Sequence, residues 1–134
     1  MELNKKQQEL MFKFQMFEQQ IQQLQQQLQA VEQAIVEANS LNLGLEDLKK
    51  GKDKEILASI GKGIFIKAKL TSENLIVDVG AKNFVKKSIP DTQKIITDQI
   101  KKLEAVKKEL EDNLEKINTE LTKTFMDAQK QAKK

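Results

Sequence analysis

With 134 residues, 39% of them hydrophobic and 32% charged, and with six Phe but no Trp or Tyr, the chain holds too little bulky apolar material for a thick globular core, which points to an elongated or oligomeric protein. Its net charge of +3 arises from 23 cationic residues, all Lys, interspersed with 20 acidic ones, a small excess that speaks against a nucleic-acid binder, the more so without Arg for forked contacts to phosphate or guanine. The lack of Cys and His removes disulfides, thiolate nucleophiles, thiolate metal sites and near-neutral imidazole catalysis.

The first residues, Met1 to Gln8, lead into Gln-rich sequence and not into an apolar stretch, and no window has the apolar length needed to cross a bilayer. A soluble, cytoplasmic protein without membrane association is expected.

From Leu3 to Ala38 the apolar positions form a seam: Leu3, Leu10, Phe14, Phe17, Ile21, Leu24, Leu28, Val31, Ile35 and Ala38. From Leu10 the steps alternate four and three, the spacing that keeps one stripe of a helix facing a partner helix in a coiled coil. Gln fills most positions between Gln19 and Gln33, and Gln is a good helix former. Beyond Ala38 the pattern continues as Leu41, Leu45 and Leu48, with a three-residue step at Asn39-Ser40, and Gly51 is the expected C-cap. Residues 1–50 are therefore expected to form the first coiled-coil helix.

Between residues 55 and 89 the period changes to two. Ile64, Ile66, Ala68 and Leu70 alternate with Phe65, Lys67 and Lys69, and Leu75, Val77 and Val79 alternate with Ile76 and Asp78. Residues 56–60 and 84–88 flank these as further strands. Gly61-Lys62-Gly63 and Gly80-Ala81-Lys82-Asn83 are turn sequences, so the segment reads as two β-hairpins. A second helix is expected over 90–134, with Ser88 capping the amide of Asp91 and Pro90 in the first turn. Its seam runs Ile96, Ile100, Leu103, Leu110, Leu114, Ile117, Leu121 and Ala128, with Lys107 and Thr124 at two seam positions.

Helices of near-equal length, each roughly 65 to 70 Å at 1.5 Å per residue, favour antiparallel pairing within the chain, while pairing between chains also satisfies the periodicity. Two short hairpins with apolar side chains on both faces ask for more cover than one chain possesses, which reads as an assembly module completed by strands of other subunits. Antiparallel pairing would bring Met11, Phe12 and Met16, off the first seam, together with Phe125 and Met126. Such residues either widen the seam or offer adaptable apolar contact suited to unfolded chains. Carboxylate clusters such as Glu109, Glu111 and Asp112 have Lys neighbours and read as solvated helix faces, and the Gly-containing turns lack phosphate-loop spacing. No enzyme, catalytic residue, cofactor or metal site is expected.

The run from Glu55 through Gly61-Lys62-Gly63 to Leu70, continued by Leu75-Ile76-Val77-Asp78-Val79-Gly80-Ala81, resembles the alpha class of prefoldin, whose subunits carry two hairpins where beta-class subunits carry one. The sequence departs from that family's habit at Ser59, where Pro is usual. The resemblance implies a mainly α, α+β fold: a single prefoldin-like domain over 1–134, in which a long antiparallel coiled-coil hairpin carries two β-hairpins (55–89) that contribute to an intersubunit β-barrel. It further implies a hexamer of two alpha and four beta subunits that holds unfolded client proteins at the coiled-coil tips without ATP and passes them to a group II chaperonin. Carried over by position, Leu10, Met11, Phe12, Phe14, Met16, Phe125 and Met126 become client-binding candidates. Ile64, Phe65, Ile66, Leu75, Ile76, Val77, Phe84 and Val85 become assembly candidates. The alternative is a structural coiled-coil scaffold or adaptor without holding activity; a basic coiled coil on nucleic acid or an anionic membrane would instead show strongly salt-dependent binding.

Overall fold

A computed structural model describes residues 4–132, with side chains for 4–130, so Leu3 and the other terminal residues of the two expected helical segments lie outside the described residues. Six elements follow in order: α1 (Lys5–Leu48), β1 (Glu55–Gly61), β2 (Ile64–Lys69), β3 (Asn74–Asp78), β4 (Phe84–Ser88) and α2 (Ile89–Ala132). The fold is mainly α, two long helices with two small antiparallel hairpins between them in the chain. It divides into two units, Met1–Ile35 with Leu103–Lys134, and Val36–Lys102.

The first unit is a pair of helical segments. α1 opens on a reciprocal cap: the Gln7 amide donates to Asn4 Oδ1 at 2.7 Å and the Asn4 amide donates to Gln7 Oε1 at 3.2 Å, so two free amides are satisfied at once. Leu10, Phe14, Phe17, Ile21, Leu24, Leu28, Val31 and Ile35 are half-buried on α1, and Leu103, Lys107, Leu110, Leu114, Ile117, Leu121, Thr124 and Ala128 on α2. The Phe14 ring meets the Phe125 ring, and Lys107 Nζ lies 3.9 Å from Glu32 Oε1. As residue number rises on one helix it falls on the other, so the pair is antiparallel. Half-burial of each Leu or Ile along this seam contributes about 1 kcal/mol.

The second unit contains the buried core, formed by Leu45, Ile89, Ile96 and Ile100 with Thr92. Its helical segments are also antiparallel, with Asn42 against Thr97 and Glu46 against Gln93. The seam continues from Ala38 to Asn42 and Leu45, in place of the expected Leu41, which is exposed. The unbroken four-three spacing keeps the stripe facing α2, and a step to residue 41 would have rotated it away.

The end of α1 also differs from expectation. The left-handed residue is Lys50 (φ 57°), not Gly51. Gly51 is buried and is needed for another reason: a Cβ there would stand 3.0 Å from the Leu48 carbonyl oxygen and 3.3 Å from Leu70 Cδ2. The Asp53 amide donates to the Leu70 carbonyl at 2.7 Å and the Leu70 amide to the Lys54 carbonyl at 3.0 Å, so this close approach fastens the helix exit to the end of β2.

Two hairpins follow. β1 and β2 pair antiparallel from Glu55 with Lys69 to Gly61 with Ile64, and Ile60 is an extra residue that bulges β1 before the turn. Lys62 (φ 51°) and Gly63 (φ 75°) both adopt positive φ, the two-residue turn whose twist matches the strands. β3 and β4 pair from Asn74 with Ser88 to Asp78 with Phe84. Their turn has the same hand at Ala81 (φ 50°) and Lys82 (φ 61°), residues without glycine's freedom, and the Gly80 amide donates to Asp78 Oδ1 at 2.9 Å. Ser88 ends β4 and caps α2: its Oγ accepts the Asp91 amide at 3.1 Å and its carbonyl accepts from Thr92 Oγ1 at 2.9 Å.

Candidate functional site

Among the described residues each unit exposes an apolar cluster, apart from single exposed side chains such as Leu43. In the first unit, Phe12 and Met16 are four residues apart on α1 and so share a face, with Met11 beside them. All three are exposed, Phe12 at 63% of its surface, and so are Phe125 and Met126 on α2. Leu10 and Phe14 sit on the seam and are half-buried. Phe125 joins the two sets. Its ring lies 6.5 Å from that of Phe14 at an interplanar angle of 58°, a tilted pairing worth about 1 kcal/mol beyond burial, yet more than half of the residue faces outward.

Of the seven residues expected at the coiled-coil tip, five thus present apolar surface and two support it from the seam. From Met126 an open groove runs along α2, lined also by Leu114, Asn118 and Thr122. Met has three flexible bonds and a polarizable sulfur, and Phe has a broad rigid face, so together they adapt to varied apolar partners. Nothing in this set can accept or donate a proton near neutral pH.

In the second unit the strands are uncovered. Residues directly opposite in an antiparallel pair share a face, so Ile56, Ala58, Ile66 and Ala68 lie on one side of the first hairpin and Leu57, Ser59, Phe65 and Lys67 on the other. Ile56, Ala58 and Ala68 are half-buried, whereas Leu57, Ile64, Phe65 and Ile66 are exposed. On the second hairpin Leu75 and Val77 are half-buried, and Val85 stands opposite Val77. Ile76, 73% exposed, and Phe84 lie on its other face. Every expected assembly residue therefore lies on a strand, and six of the eight are exposed: Ile64, Phe65, Ile66, Ile76, Phe84 and Val85. A lone two-stranded sheet in this state is marginal in water, and its free edges offer unpaired backbone groups.

A polar cluster between the helical segments of the second unit escaped the sequence reading. Gln93 Nε2 donates to Glu46 Oε2 at 2.9 Å and to the Asn42 carbonyl at 3.3 Å, while Asn42 Nδ2 donates to Thr97 Oγ1 at 3.3 Å. The bond from Gln93, and then that from Lys49 at 2.9 Å, hold the Glu46 carboxyl below the ordinary carboxylate range. Asn42 Oδ1 is buried without a protein donor. An Asn at a seam position costs stability but favours the alignment in which its amide is bonded, here the one that sets Asn42 against Thr97. The available signal was the four-residue step from Ala38 to Asn42, masked by the apolar Leu41.

Among the described residues no cluster of three or more metal-ligating side chains occurs, and no helix is long and apolar enough to cross a membrane.

Comparison with known proteins places these surfaces in a family context. The sequence model of the prefoldin family, described as Prefoldin subunit, matches residues 17–134. The chain is 29% identical over 112 residues to a protein named Prefoldin subunit alpha from Methanoregula boonei, covering 83% of this chain and 73% of that one. It is 26% identical over 96 residues to the protein of the same name from Methanosphaera stadtmanae, covering 72% and 70%. In structure it is similar to a chain of the filamentous PFD from Methanocaldococcus jannaschii, with a TM-score of 0.74, 21% identity, and coverage of 84% of this chain and 95% of that one.

Proposed function

The chain belongs to the prefoldin family as an alpha-class subunit, and hence has a chaperone subunit's role, and from that premise we propose that it is part of an ATP-independent holdase. The holdase captures non-native proteins on the exposed Met and Phe residues of its helix ends, prevents their aggregation and passes them to a group II chaperonin. The observation that carries this reading is the concentration of exposed Met11, Phe12, Met16, Phe125 and Met126 on a helix pair whose remaining exposed surface is mostly polar and charged. Unfolded chains expose apolar side chains of varied shape, and surfaces rich in Met bind such partners without strict complementarity.

The hairpins supply assembly. Ile64, Phe65, Ile66, Leu75, Ile76, Val77, Phe84 and Val85 pack against strands of other prefoldin subunits in a hexamer of two alpha and four beta chains, in the cytoplasm. Holding needs no bond making and no nucleotide, which suits a chain without His, Cys or Arg. Burial of the apolar strand faces supplies the driving force, at about 25 cal/mol for each Å² removed from water.

The test is suppression of aggregation of a denatured protein, without nucleotide, by the complex assembled with a beta-class subunit. Changing Met11, Phe12, Met16 and Met126 to Ser is expected to abolish most of the holding while the hexamer still forms, because these residues are exposed and support no core. Holding that survives these changes would remove client capture from this surface and leave the chain as a coiled-coil scaffold.

A further inference from the structure

Charge is spread unevenly along the chain. Residues 49–88 carry ten Lys against four acidic residues, a net +6, whereas residues 5–48 carry three Lys against six acidic residues and residues 89–130 carry eight against nine. The helices are mildly acidic, and the basic excess belongs to the hairpins and the loop that leads into them.

These lysines share the strands with the uncovered apolar side chains. Lys67 stands opposite Leu57, Lys86 opposite Ile76 and Lys87 opposite Leu75, and Lys62 and Lys82 occupy the two turns. Glu55 with Lys69 is the single directly opposed pair of unlike charge in the two ladders. Among the described residues no carboxylate lies within ion-pair distance of Lys62, Lys67, Lys69, Lys82, Lys86 or Lys87. The segment is thus adhesive through Phe65, Ile66, Ile76 and Phe84 and strongly positive around them.

An apolar face alone selects weakly among apolar partners; charge around it adds the selection. Two copies of this segment brought together oppose +6 with +6, and charges closer than about 8 Å are poorly screened at physiological ionic strength. A partner with negative strands gains attraction at the same distance. Resting on the reading of the hairpins as an assembly module, we propose that they dock a partner chain whose own strand region is net acidic. The charge difference, and not the apolar face, discriminates hetero-assembly from self-assembly. Self-association is weakened by this arrangement and is restored where salt screens it.

The experiment uses a charge-inverted copy of the full chain as the acidic probe, with Lys62, Lys67, Lys69, Lys82, Lys86 and Lys87 each changed to Glu, which turns the +6 of residues 49–88 into −6. Five of the six positions are exposed and Lys87 is half-buried, and circular dichroism checks that the fold is retained. Sedimentation equilibrium is run on each chain alone and on the mixture, from about 0.05 to about 1 M salt. At low salt the mixture should associate at least about tenfold more tightly than either chain alone, and the two should respond to salt with opposite sign: hetero-association falls, self-association rises.

Equal association of all three samples, unmoved by salt, would overturn the charge rule. In that case loss of association on changing Phe65 and Ile76 to Ser would leave the assembly module standing. No association in any sample at any salt would overturn both.

Discussion

The turn between β3 and β4 places Ala81 and Lys82 at φ 50° and 61°, the left-handed region that Asn tolerates and Gly enters freely. Holding a residue with an ordinary Cβ there costs about 1 to 2 kcal/mol, so the pair stores roughly 2 to 4 kcal/mol. Replacing Ala81→Asn and Lys82→Gly relieves most of this and returns about 0.5 to 1 kcal/mol to the unfolded chain through glycine's entropy. The net expectation is a hairpin more stable by about 1 to 2 kcal/mol, a factor of roughly five to thirty in its opening equilibrium. Native-state amide exchange reads this locally. The Val79 amide donates to the Asn83 carbonyl and the Asn83 amide to the Gly80 carbonyl, both at 2.9 Å, and both should exchange more slowly by that factor. The Leu70 amide, bonded to Lys54 at the base of the other hairpin, is the internal reference and should not change. Equal slowing at Leu70, or none at Val79 and Asn83, would refute the assignment of strain to this turn.

The polar layer between the helices makes two further predictions. Asn42→Leu replaces a buried amide oxygen lacking a protein donor with apolar surface at a seam position, so the melting temperature should rise by about 5 °C. Disulfide trapping between a cysteine at 38 and one placed, in separate variants, at 97 or 101 should then succeed in both variants, because the bonded alignment no longer stands apart. Glu46 is held below its ordinary range by Gln93 and Lys49, so its contribution is present above the unfolded-state value and is lost as pH falls through the folded one. Comparing Gln93→Leu with the unaltered chain in urea unfolding at neutral and acid pH should show the two converging as pH drops below the glutamate range; a gap that stays constant would assign the role of Gln93 to packing.

Much of this fold was legible because each element's period is written directly in the side chains. The four-three spacing from Leu10 to Ala38 has one physical solution, a stripe facing another helix, and the seam residues are half-buried. Ser88-Ile89-Pro90-Asp91 contained a complete capping signal, and the bond from the Asp91 amide to Ser88 Oγ follows from it. Errors arose where hydrophobicity competed with geometry. Leu41 looked like the next seam residue, but helical spacing places Asn42 there and leaves Leu41 exposed. Gly51 looked like the left-handed cap, but Lys50 takes that conformation while Gly51 makes room for Leu70 and the Leu48 carbonyl. The turn at 80–83 was legible, but the Ile60 bulge and the left-handed strain at Ala81 and Lys82 carry no local signal, because strand pairing on either side imposes them. As for the candidate surfaces, sequence spacing marked Met11, Phe12 and Met16 as off the seam; the ring contact that ties Phe125 to Phe14 emerged only from the three-dimensional structure.

Client capture on the helix ends is tested most directly by site-specific photo-crosslinking in the complete complex. A photoreactive phenylalanine analogue is placed at Phe12 or at Phe125, and for reference at Leu43, an apolar residue 70% exposed in the other unit. A denatured protein is then added without nucleotide. Capture by the Met and Phe surface predicts strong crosslinks from positions 12 and 125, little from 43, and none from any position when the added protein is folded. Equal yields from all three positions, or crosslinks from 43 alone, would contradict it.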